Sequence, residues 1–437
     1  MKSKRKERGI CELYADDPAR ADELVFGRRT DKTRRGFLKR SGLAAMATAV
    51  GAAIPYEKFM PGGLIPAAFA ESAETFVIEG KDGLVILNDR PINAETPAHL
   101  LDDAVTPSER HFVRNNGIAP KSFAAAGWTI DIDGEVETPL SLTIEELKDK
   151  FEVVSLKLQI ECGGNGRSSF NPPARGNQWS IGAIANSEWT GVRYADVLRA
   201  AGIKSSAIYT GQFGADAHLS GQADKFPLSR GMPIEKAMDP HNLIAFEMNG
   251  KPIHPLNGAP VRVVAPGWPG SCSQKWLKRI WVRDVVHDGA KMTGTSYRVP
   301  KYPVAPGQKV PKEDFKIIES MPVKSLITFP QSGIELTPGT RKFEVRGNAW
   351  AGDLAVKALD VSIDFGASWL PAKLDAAPNP FSWQRWQTEI ELPQAGYYEV
   401  WARATDTQGN QQPFAIAWNP KGYLNNSLHR IAVRVSA

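Results

Sequence analysis

Residues Ile160–Arg167 have the sequence IECGGNGR and follow a largely alternating run of apolar side chains, at Val153, Val154, Leu156, Leu158 and Ile160. This run predicts a β-strand that ends in a glycine-rich turn. Glycines after a strand let the backbone approach a bulky group closely, because they lack a Cβ atom. A thiolate is a soft metal ligand or a nucleophile and needs positive charge nearby, which Arg167 can supply. These residues leave three roles open for Cys162: metal ligand, nucleophile or inert buried cysteine.

The composition indicates a globular protein with room for two or three domains: 437 residues, 42% of them hydrophobic and 23% charged. The net charge of +5 is unevenly distributed, since residues 1–70 carry 14 Lys and Arg against 8 Asp and Glu. The remaining residues carry 39 basic against 40 acidic side chains. A nucleic-acid-binding protein needs a basic face on its folded part, so this class is excluded.

The basic N-terminus has the features of an export signal. Residues 33–39 (TRRGFLK) match the twin-arginine pattern, an apolar stretch follows from Ser41 to Ile54, and Ala68-Phe69-Ala70 forms an A-x-A cleavage site. The alternative is a membrane anchor, but the uncharged run Ser41–Tyr56 has only 16 residues and is short for a bilayer span. We therefore expect residues 1–70 to be a twin-arginine signal peptide, and the mature protein to be periplasmic without a membrane span. This pathway exports folded proteins, which suits a cofactor inserted in the cytoplasm.

Cysteine usage narrows the chemistry further. Cys11 leaves with the signal peptide, so only Cys162 and Cys272 remain, and in an oxidising compartment they could form a disulfide. The chain has no Cys-x-x-Cys-His motif for covalent haem. It also has no glycine-rich dinucleotide or triphosphate motif after a strand.

The sequence pattern divides the chain after the signal into three parts. Residues 71–125 form a polar, proline-punctuated N-terminal arm with a short strand signal at Thr75–Ile78. Residues 126–317 are predicted to be mixed α and β, with secondary-structure signals at Gly127–Gly134 (strand), Ile144–Phe151 (helix capped by Thr143), Ala195–Ala201 (helix) and Pro260–Pro266 (buried strand).

Residues 318–437 are predicted to be an all-β sandwich. Short alternating segments recur there with turns between them, at Lys342–Arg346, Val356–Asp364, Thr388–Leu392 and Tyr397–Asp406. The predicted fold class is therefore α+β, with a mixed α/β domain followed by a β-sandwich.

Taken together, several separated segments resemble the sulfite oxidase family of molybdenum–pterin enzymes. Those in the first two parts are His111–Asn116, Cys162–Arg167, Met248–Gly250 with Pro260–Gly267, and Ser273–Leu277. The last part resembles the immunoglobulin-like dimerisation domain of that family, at Arg346–Trp350 and Trp418–Gly422. The resemblance runs from about residue 75 to the C-terminus and implies a sulfite-oxidase-type molybdopterin domain, an immunoglobulin-like sandwich and a homodimer.

The resemblance implies that Cys162 is the thiolate ligand of molybdenum, beside the dithiolene sulfurs of molybdopterin. It assigns the phosphate tail of the pterin to Arg262, Lys275 and the loop at Ser273, since a phosphate needs cations and N–H donors. Asp216 is the expected acceptor for the pterin amino groups. The implied cofactor-binding set is Arg114, Asn115, Asn116, Asp216, Asn257, Arg262, Ser273, Gln274 and Lys275. Asn116 and Asn257 stand where many members have histidine, and an amide cannot carry charge.

The resemblance also assigns the catalytic pocket. Arg114 and Arg167 would bind a dianionic substrate, with Lys421 as a third cation from the sandwich domain. Trp179 would wall the pocket and exclude water. The phenol of Tyr297 would donate a hydrogen bond near the reacting oxygen.

The function implied is oxidation of sulfite to sulfate by oxygen-atom transfer, with electrons passed to a separate c-type cytochrome because this chain has no haem motif. Three alternatives remain at this stage. The first is the molybdenum subunit of a sulfane-oxidising complex, and the second is a methionine-sulfoxide-reducing relative. The third is a cofactor-free periplasmic binding protein in which Cys162 and Cys272 form a disulfide.

Overall fold

The structure is a computed structural model and describes residues 76–436. The predicted signal peptide, its cleavage site and Cys11 lie outside the described residues. Between Phe76 and Ser436, no helix is both long and apolar enough to cross a bilayer.

The N-terminal arm contains a small antiparallel sheet of β1 (Val85–Asp89), β2 (Ile92–Glu95) and β3 (Val113–Arg114). The sequence did not predict these strands. The strand signal at Thr75–Ile78 is wrong for its described residues, which form no strand and of which only Ile78 is buried. Strand β3 ends at Arg114 and so delivers that side chain to the interior of the molecule.

The middle of the chain, from β4 to β15, has two five-stranded sheets and a two-stranded one. Its elements are β4 (Thr129–Gly134), β5 (Leu140–Thr143), α1 (Ile144–Lys150), β6 (Val153–Glu161), β7 (Ile184–Arg193), α2 (Tyr194–Ala201), β8 (Tyr209–Gly214), β9 (Ser229–Arg230), α3 (Ile234–Ala237), β10 (Leu243–Met248), β11 (Lys251–Pro252), β12 (Arg262–Val264), β13 (Leu277–Arg283), β14 (Arg298–Pro300) and β15 (Phe315–Ile317).

The two larger sheets have different strand orders. One is β5-β4-β13-β8-β9, in which β4 and β13 are parallel and the other pairs are antiparallel. The other is β11-β10-β7-β6, with β12 also paired to β10. The buried core between these elements includes Ile130, Leu147, Tyr194 and Ile280.

Helix α1 starts where its sequence predicts. The Thr143 hydroxyl accepts a hydrogen bond from the Glu146 N–H (3.1 Å), and the Glu146 carboxylate accepts one from the Thr143 N–H (2.9 Å). This capping box satisfies two N–H groups that the first turn of a helix leaves unpaired. Helix α2 buries Tyr194, Val197 and Leu198 against the core and ends before Gly202, which adopts the left-handed conformation.

Residues 323–435 form a sandwich of two sheets with no helix among them in the described structure. Its strands are β16 (Val323–Phe329), β17 (Ile334–Leu336), β18 (Lys342–Ala351), β19 (Val356–Ser362), β20 (Leu370–Pro371), β21 (Lys373–Leu374), β22 (Gln384–Glu391), β23 (Gly396–Asp406) and β24 (His429–Val435). The sheet orders are β16-β18-β22-β21 and β17-β24-β23-β19-β20. Alternate residues of the two sheets fill the space between them, among them Val345, Leu359, Trp386 and Val433.

The sandwich packs against the preceding described residues. One shared apolar cluster joins Leu101 of the arm and Ile184 of β7 to Leu326, Trp350 and Trp383 of the sandwich. The loop between β23 and β24 also reaches the turn that follows β6, where the Leu424 N–H donates to the Gly163 carbonyl (3.0 Å). The predicted cysteine turn is therefore covered by the C-terminal domain.

Candidate active site

A cleft lies at the end of strand β6, where the arm, the glycine-rich turn and the loop before β13 meet. It encloses about 650 Å³ of empty space, part of it open to solvent. Nine of the predicted site residues line it: Arg114, Asn116, Cys162, Asp216, Asn257, Arg262, Ser273, Gln274 and Lys275. Tyr297 is the tenth predicted site residue in the lining.

Cys162 is the first residue after β6, and its thiol faces this cleft with 8% of the residue exposed. The turn is closed by a hydrogen bond from the Asn165 N–H to the Cys162 carbonyl (2.8 Å), and Gly166 has a φ of +84°. Neither Cys162 nor Cys272 is in a disulfide. The alternative with a disulfide between them is therefore wrong, because the Cys272 thiol instead accepts a hydrogen bond from the buried Arg230 (3.4 Å).

Three basic side chains lie buried or half-buried around one end of the cleft. Arg262 donates to the carbonyl oxygens of Asn257 (2.6 Å) and Ser273 (2.9 Å), and Lys275 donates to the Leu256 carbonyl (2.7 Å) and to the amide oxygen of Asn115. Lys81, which the sequence did not single out, donates to the Asn257 amide oxygen (2.5 Å).

None of these three cations forms an ion pair with a carboxylate in the described part of the chain. Burial lowers the pKa of Arg262 to about 9 and that of Lys81 to about 7. Burial, with the nearby Arg262 charge, holds the pKa of Lys275 well below its usual range. A guanidinium stays charged in proteins, so this end of the cleft carries positive charge, which the Asp216 carboxylate near Lys275 offsets only in part and which favours an anionic ligand.

Several polar atoms lining the cleft have no partner within the described structure. They are one carboxylate oxygen of Asp216, the hydroxyl of Ser271 and the amide oxygen of Gln274. Burial raises the pKa of the Asp216 carboxyl to about 6. Buried polar groups are normally hydrogen-bonded, so orphaned acceptors beside unpaired cations indicate a bound polar group. The residues therefore fit a molybdopterin, whose phosphate needs cations and whose amino groups need acceptors.

A second group of polar side chains surrounds Tyr297. The amide oxygen of Asn116 accepts hydrogen bonds from Arg114 (2.8 Å), from the Tyr297 hydroxyl (3.1 Å) and from Lys291 (2.7 Å). Burial lowers the pKa of Arg114, but the adjacent Tyr297 phenol and Cys162 thiol raise it, and the net shift is upward. Arg114 thus lies between the thiol and the phenol.

Four predicted residues are not in the lining of the cleft. Asn115 is buried behind it and holds Lys275. Trp179 is fully buried and packs edge-on against Phe112 (6.4 Å between ring centroids), which itself lines the cleft. Arg167 and Lys421 lie beside the cysteine turn, where Arg167 donates to the Lys421 carbonyl (3.1 Å) and the Asn177 carbonyl (2.9 Å).

The Arg167 side chain packs closely against two glycines, and a larger residue at either position would overlap it. An ideal Cβ at Gly164 would lie 2.3 Å from Arg167 Nη2, and one at Gly422 would lie 2.6 Å from its Cγ. Burial leaves 6% of Arg167 exposed, and its oxygen acceptors are carbonyls only. The ammonium of Lys421 has no partner among the described residues, so both charges remain available to an anion.

Sequence reasoning missed Lys81, Lys291, His111 and Tyr423. The first two are ordinary surface-type residues in the sequence, and no local pattern marks them. His111 lies within a segment that carries the family resemblance; it is buried against Ser187 (3.0 Å) and lines the cleft.

Comparison with known proteins places this geometry in a family. Residues 116–291 match the family described as oxidoreductase molybdopterin binding domain, and residues 315–436 match the Mo-co oxidoreductase dimerisation domain. The sulfite oxidase of Gallus gallus is 32% identical over 360 residues, which is 80% of this chain and 77% of that protein. The chain belongs to the sulfite oxidase family. The predicted resemblance, the fold class and the molybdenum–molybdopterin cofactor are thereby confirmed, and the protein is a molybdenum oxidoreductase.

The names of other similar proteins include activities besides sulfite oxidation. Nitrate reductase (NADH) 1 of Oryza sativa subsp. japonica is 31% identical over 82% of this chain, which spans 42% of that relative. The mitochondrial sulfite oxidase of Drosophila melanogaster is 32% identical, and the chain spans 62% of it. The crystal structure of the sulfane dehydrogenase SoxCD from Paracoccus pantotrophus has a TM-score of 0.67 and 26% identity, covering 89% of this chain and 95% of that one.

Proposed function

We propose that the protein is a periplasmic sulfite dehydrogenase that oxidises sulfite to sulfate and passes the electrons to a separate c-type cytochrome. The observation that carries this proposal is a set of basic residues at Cys162 and its turn that form no ion pair in the described structure. Arg114 lies against the thiol, and Arg167 and Lys421 lie beside its turn without carboxylate partners. The sulfite oxidase of Gallus gallus, 32% identical, supports the same choice of substrate.

Electrostatics favour a small dianion in this place. At an effective dielectric constant of ~20, each unit charge ~4 Å away contributes about 4 kcal/mol of gross attraction. A dianion loses much of its hydration on entering a partly buried pocket, so several such contacts are needed to offset the loss. The guanidinium groups of Arg114 and Arg167 would supply such contacts, with Lys421 in the adjoining loop, and planar guanidinium groups suit the oxygen atoms of an oxyanion.

The residues of the chain have separable tasks in this reaction. Cys162 would ligate the metal, while Arg262, Lys275, Lys81 and Asp216 would hold the pterin. When bound, the cofactor supplies the two-electron redox change and the oxygen transfer.

On the substrate side, Arg114 and Arg167 would bind and orient the anion. The Tyr297 hydroxyl, now donating to Asn116 (3.1 Å), can turn this hydrogen bond toward negative charge that develops in the pocket. Phe112, backed by Trp179, excludes water from one side.

The proposal includes a periplasmic location, a homodimer and a cytochrome partner. Export by the twin-arginine pathway, inferred from residues 33–39, would deliver the folded holoenzyme to the periplasm. The match of residues 315–436 to the Mo-co dimerisation domain supports a homodimer. The described chain offers no haem ligand motif, so a separate cytochrome is the proposed electron acceptor, through a small and transient contact.

A single-turnover experiment tests the substrate without knowledge of the acceptor. Oxidised holoenzyme is mixed anaerobically with sulfite, and sulfate is measured by ion chromatography against molybdenum content. We expect one sulfate per molybdenum, followed by reduction of added cytochrome c in the steady state. Absence of sulfate from a fully loaded sample refutes the proposal, and reduction of nitrate by the same sample would indicate the activity named for the rice relative.

A second candidate is the molybdenum subunit of a sulfane dehydrogenase. The observation that favours it is the similarity to the sulfane dehydrogenase structure, which covers 95% of that chain at a TM-score of 0.67. The same single-turnover experiment with a persulfide in place of sulfite distinguishes the two, because only the sulfane activity would oxidise the persulfide sulfur.

A further inference from the structure

Tyr423 comes from the sandwich domain but lies among the residues of the active site. It sits in the loop between β23 and β24, and Asn419 holds its backbone by accepting from the Tyr423 N–H (3.2 Å) and donating to the Tyr423 carbonyl (2.8 Å). The next two residues bind the cysteine turn, through the Leu424 N–H to Gly163 (3.0 Å) and the Asn425 amide to Gly166 (2.8 Å). The position of the Tyr423 ring is therefore set from both sides.

Four side chains form a continuous stack that contains this ring. The order is Arg230, Tyr297, Tyr423, Arg167. The Arg230 guanidinium carbon lies 5.0 Å from the Tyr297 ring centroid, the two tyrosine rings are stacked at 5.8 Å with 23° between their planes, and the Arg167 guanidinium carbon lies 4.9 Å from the Tyr423 centroid. A cation over a ring face and offset-stacked rings are both attractive arrangements.

The Tyr423 hydroxyl adds a directed contact. It accepts a hydrogen bond from the Tyr297 N–H (3.2 Å), while Arg230 donates to the Tyr297 carbonyl (3.3 Å). Tyr297 has a φ of +53°, a left-handed conformation that side chains other than glycine adopt at a cost. The N–H and the carbonyl of Tyr297 are thus both hydrogen-bonded in this conformation. Its hydroxyl accepts a hydrogen bond from Arg114 (3.4 Å).

We propose that Tyr423 is a positioning residue of the anion site, which acts through Arg167 and Tyr297. By filling the space between them, its ring determines how far the Arg167 charge stands from the Tyr297 hydroxyl and from Arg114. The C-terminal domain thereby contributes to substrate binding through an aromatic ring as well as through Lys421. This inference rests on the proposed function, since it takes the ligand to be a small oxyanion.

Two variants of the full-length holoenzyme test it, with sulfite KM and kcat measured beside the Kd of sulfate for the oxidised enzyme by calorimetry. Tyr423→Leu removes ring and hydroxyl, so we expect sulfite KM and sulfate Kd to rise about tenfold, which equals ~1.4 kcal/mol, with kcat within about threefold. Tyr423→Phe keeps the ring, and both constants should return to within about threefold of wild type.

The matched control is Trp369→Leu, which removes a ring from another arginine contact of the same domain, with the Arg403 guanidinium carbon 3.8 Å from the Trp369 ring centroid. It should leave KM and the sulfate Kd unchanged. If Tyr423→Leu loses molybdenum, Tyr423→Met, whose longer unbranched side chain reaches further into the place of the ring, is used instead with the same expected direction.

Unchanged sulfate affinity in a molybdenum-loaded Tyr423→Leu or Tyr423→Met protein overturns the inference, as does an equal change in Trp369→Leu. Failure of wild type to oxidise sulfite overturns the proposed function alone, because the sulfate titration needs no turnover and still compares the variants. Failure of wild type to bind sulfate overturns the inference, which takes the ligand of this site to be a small oxyanion.

Discussion

The carboxylate of Glu161, next to Cys162, is predicted to be a major contributor to the stability of the contact between the two domains. It forms an ion pair with Lys324 of the sandwich (2.5 Å), and the side chains are only 2% and 7% exposed. The indole of Trp350 donates to its other oxygen (2.9 Å), and Asn165 donates to the first (3.1 Å). Replacement of Glu161 by glutamine keeps the shape but leaves the Lys324 ammonium buried without an anion.

The expected magnitude follows from that burial. Removal of one partner from a buried pair costs about 3–5 kcal/mol. At ~2 °C per kcal/mol, the melting temperature of the holoenzyme should fall by roughly 6–10 °C. The control is Asp353→Asn, since Asp353 also pairs with a lysine of the other domain, Lys236 (2.7 Å), and accepts from an indole, that of Trp268 (2.7 Å), but its side chain is 38% exposed. There the loss should be about 1 kcal/mol or less, because Lys236, although only 7% exposed, keeps a second carboxylate partner in Asp239 (3.6 Å).

The assay is thermal unfolding of both variants at equal molybdenum content, followed by circular dichroism. In a double-mutant cycle, Lys324→Met should restore part of the stability lost in Glu161→Gln, because no unpaired charge then remains buried. Equal melting temperatures for Glu161→Gln and Asp353→Asn, or no recovery in the double variant, would refute the reasoning.

Three further predictions concern the cleft. Cys162→Ser should give a folded protein that retains pterin and oxidises no sulfite, as measured by pterin fluorescence after release and by turnover; near-wild-type activity would remove Cys162 from the metal site. Arg167→Gln should raise the sulfite KM at least tenfold with unchanged molybdenum content, whereas Arg341→Gln, an exposed arginine that also donates to a carbonyl, should not; an unchanged KM would make Arg167 structural. Asp216→Asn should stabilise cofactor-depleted protein, because burial raises the pKa of this carboxyl from 3.8 to about 6. As pH rises, this carboxyl loses its proton in the unfolded state before it does in the folded state. The free energy of unfolding of wild type therefore falls by up to ~3 kcal/mol relative to that of the variant between about pH 4 and 6, and the difference then stays constant. Urea unfolding of the two proteins across that range measures it, and a difference independent of pH contradicts it.

Local patterns predicted many of the elements well. The apolar run before Cys162 became β6, and the Thr143 capping box became the start of α1. The alternating segments after residue 340 became strands of the sandwich. In the helix cap, the deciding interactions lie within a few residues along the chain. In the strands, side chains alternate between the two faces, so burial of one face gives an apolar residue at every second position.

The strands of the arm were missed for the opposite reason. Strand β2 contributes buried Asn93 and Glu95 as well as Ala94, so it shows no apolar alternation. Glu95 is buried because its carboxylate accepts from the Ser180 backbone N–H (2.9 Å) and hydroxyl (2.9 Å). Such a partner, 85 residues away, cannot be read from the local pattern.

Residue types at short, ordered spacings were enough to predict the cysteine turn, the cations of the cofactor loop and the family. The further side chains that join them depend on how distant parts of the chain pack together. Lys81 meets Asn257 across 176 residues, and Tyr423 meets Tyr297 across 126. These contacts arise when separate sheets and domains pack, and a residue's neighbours in space are then set by the packing of whole elements rather than by its neighbours in the chain.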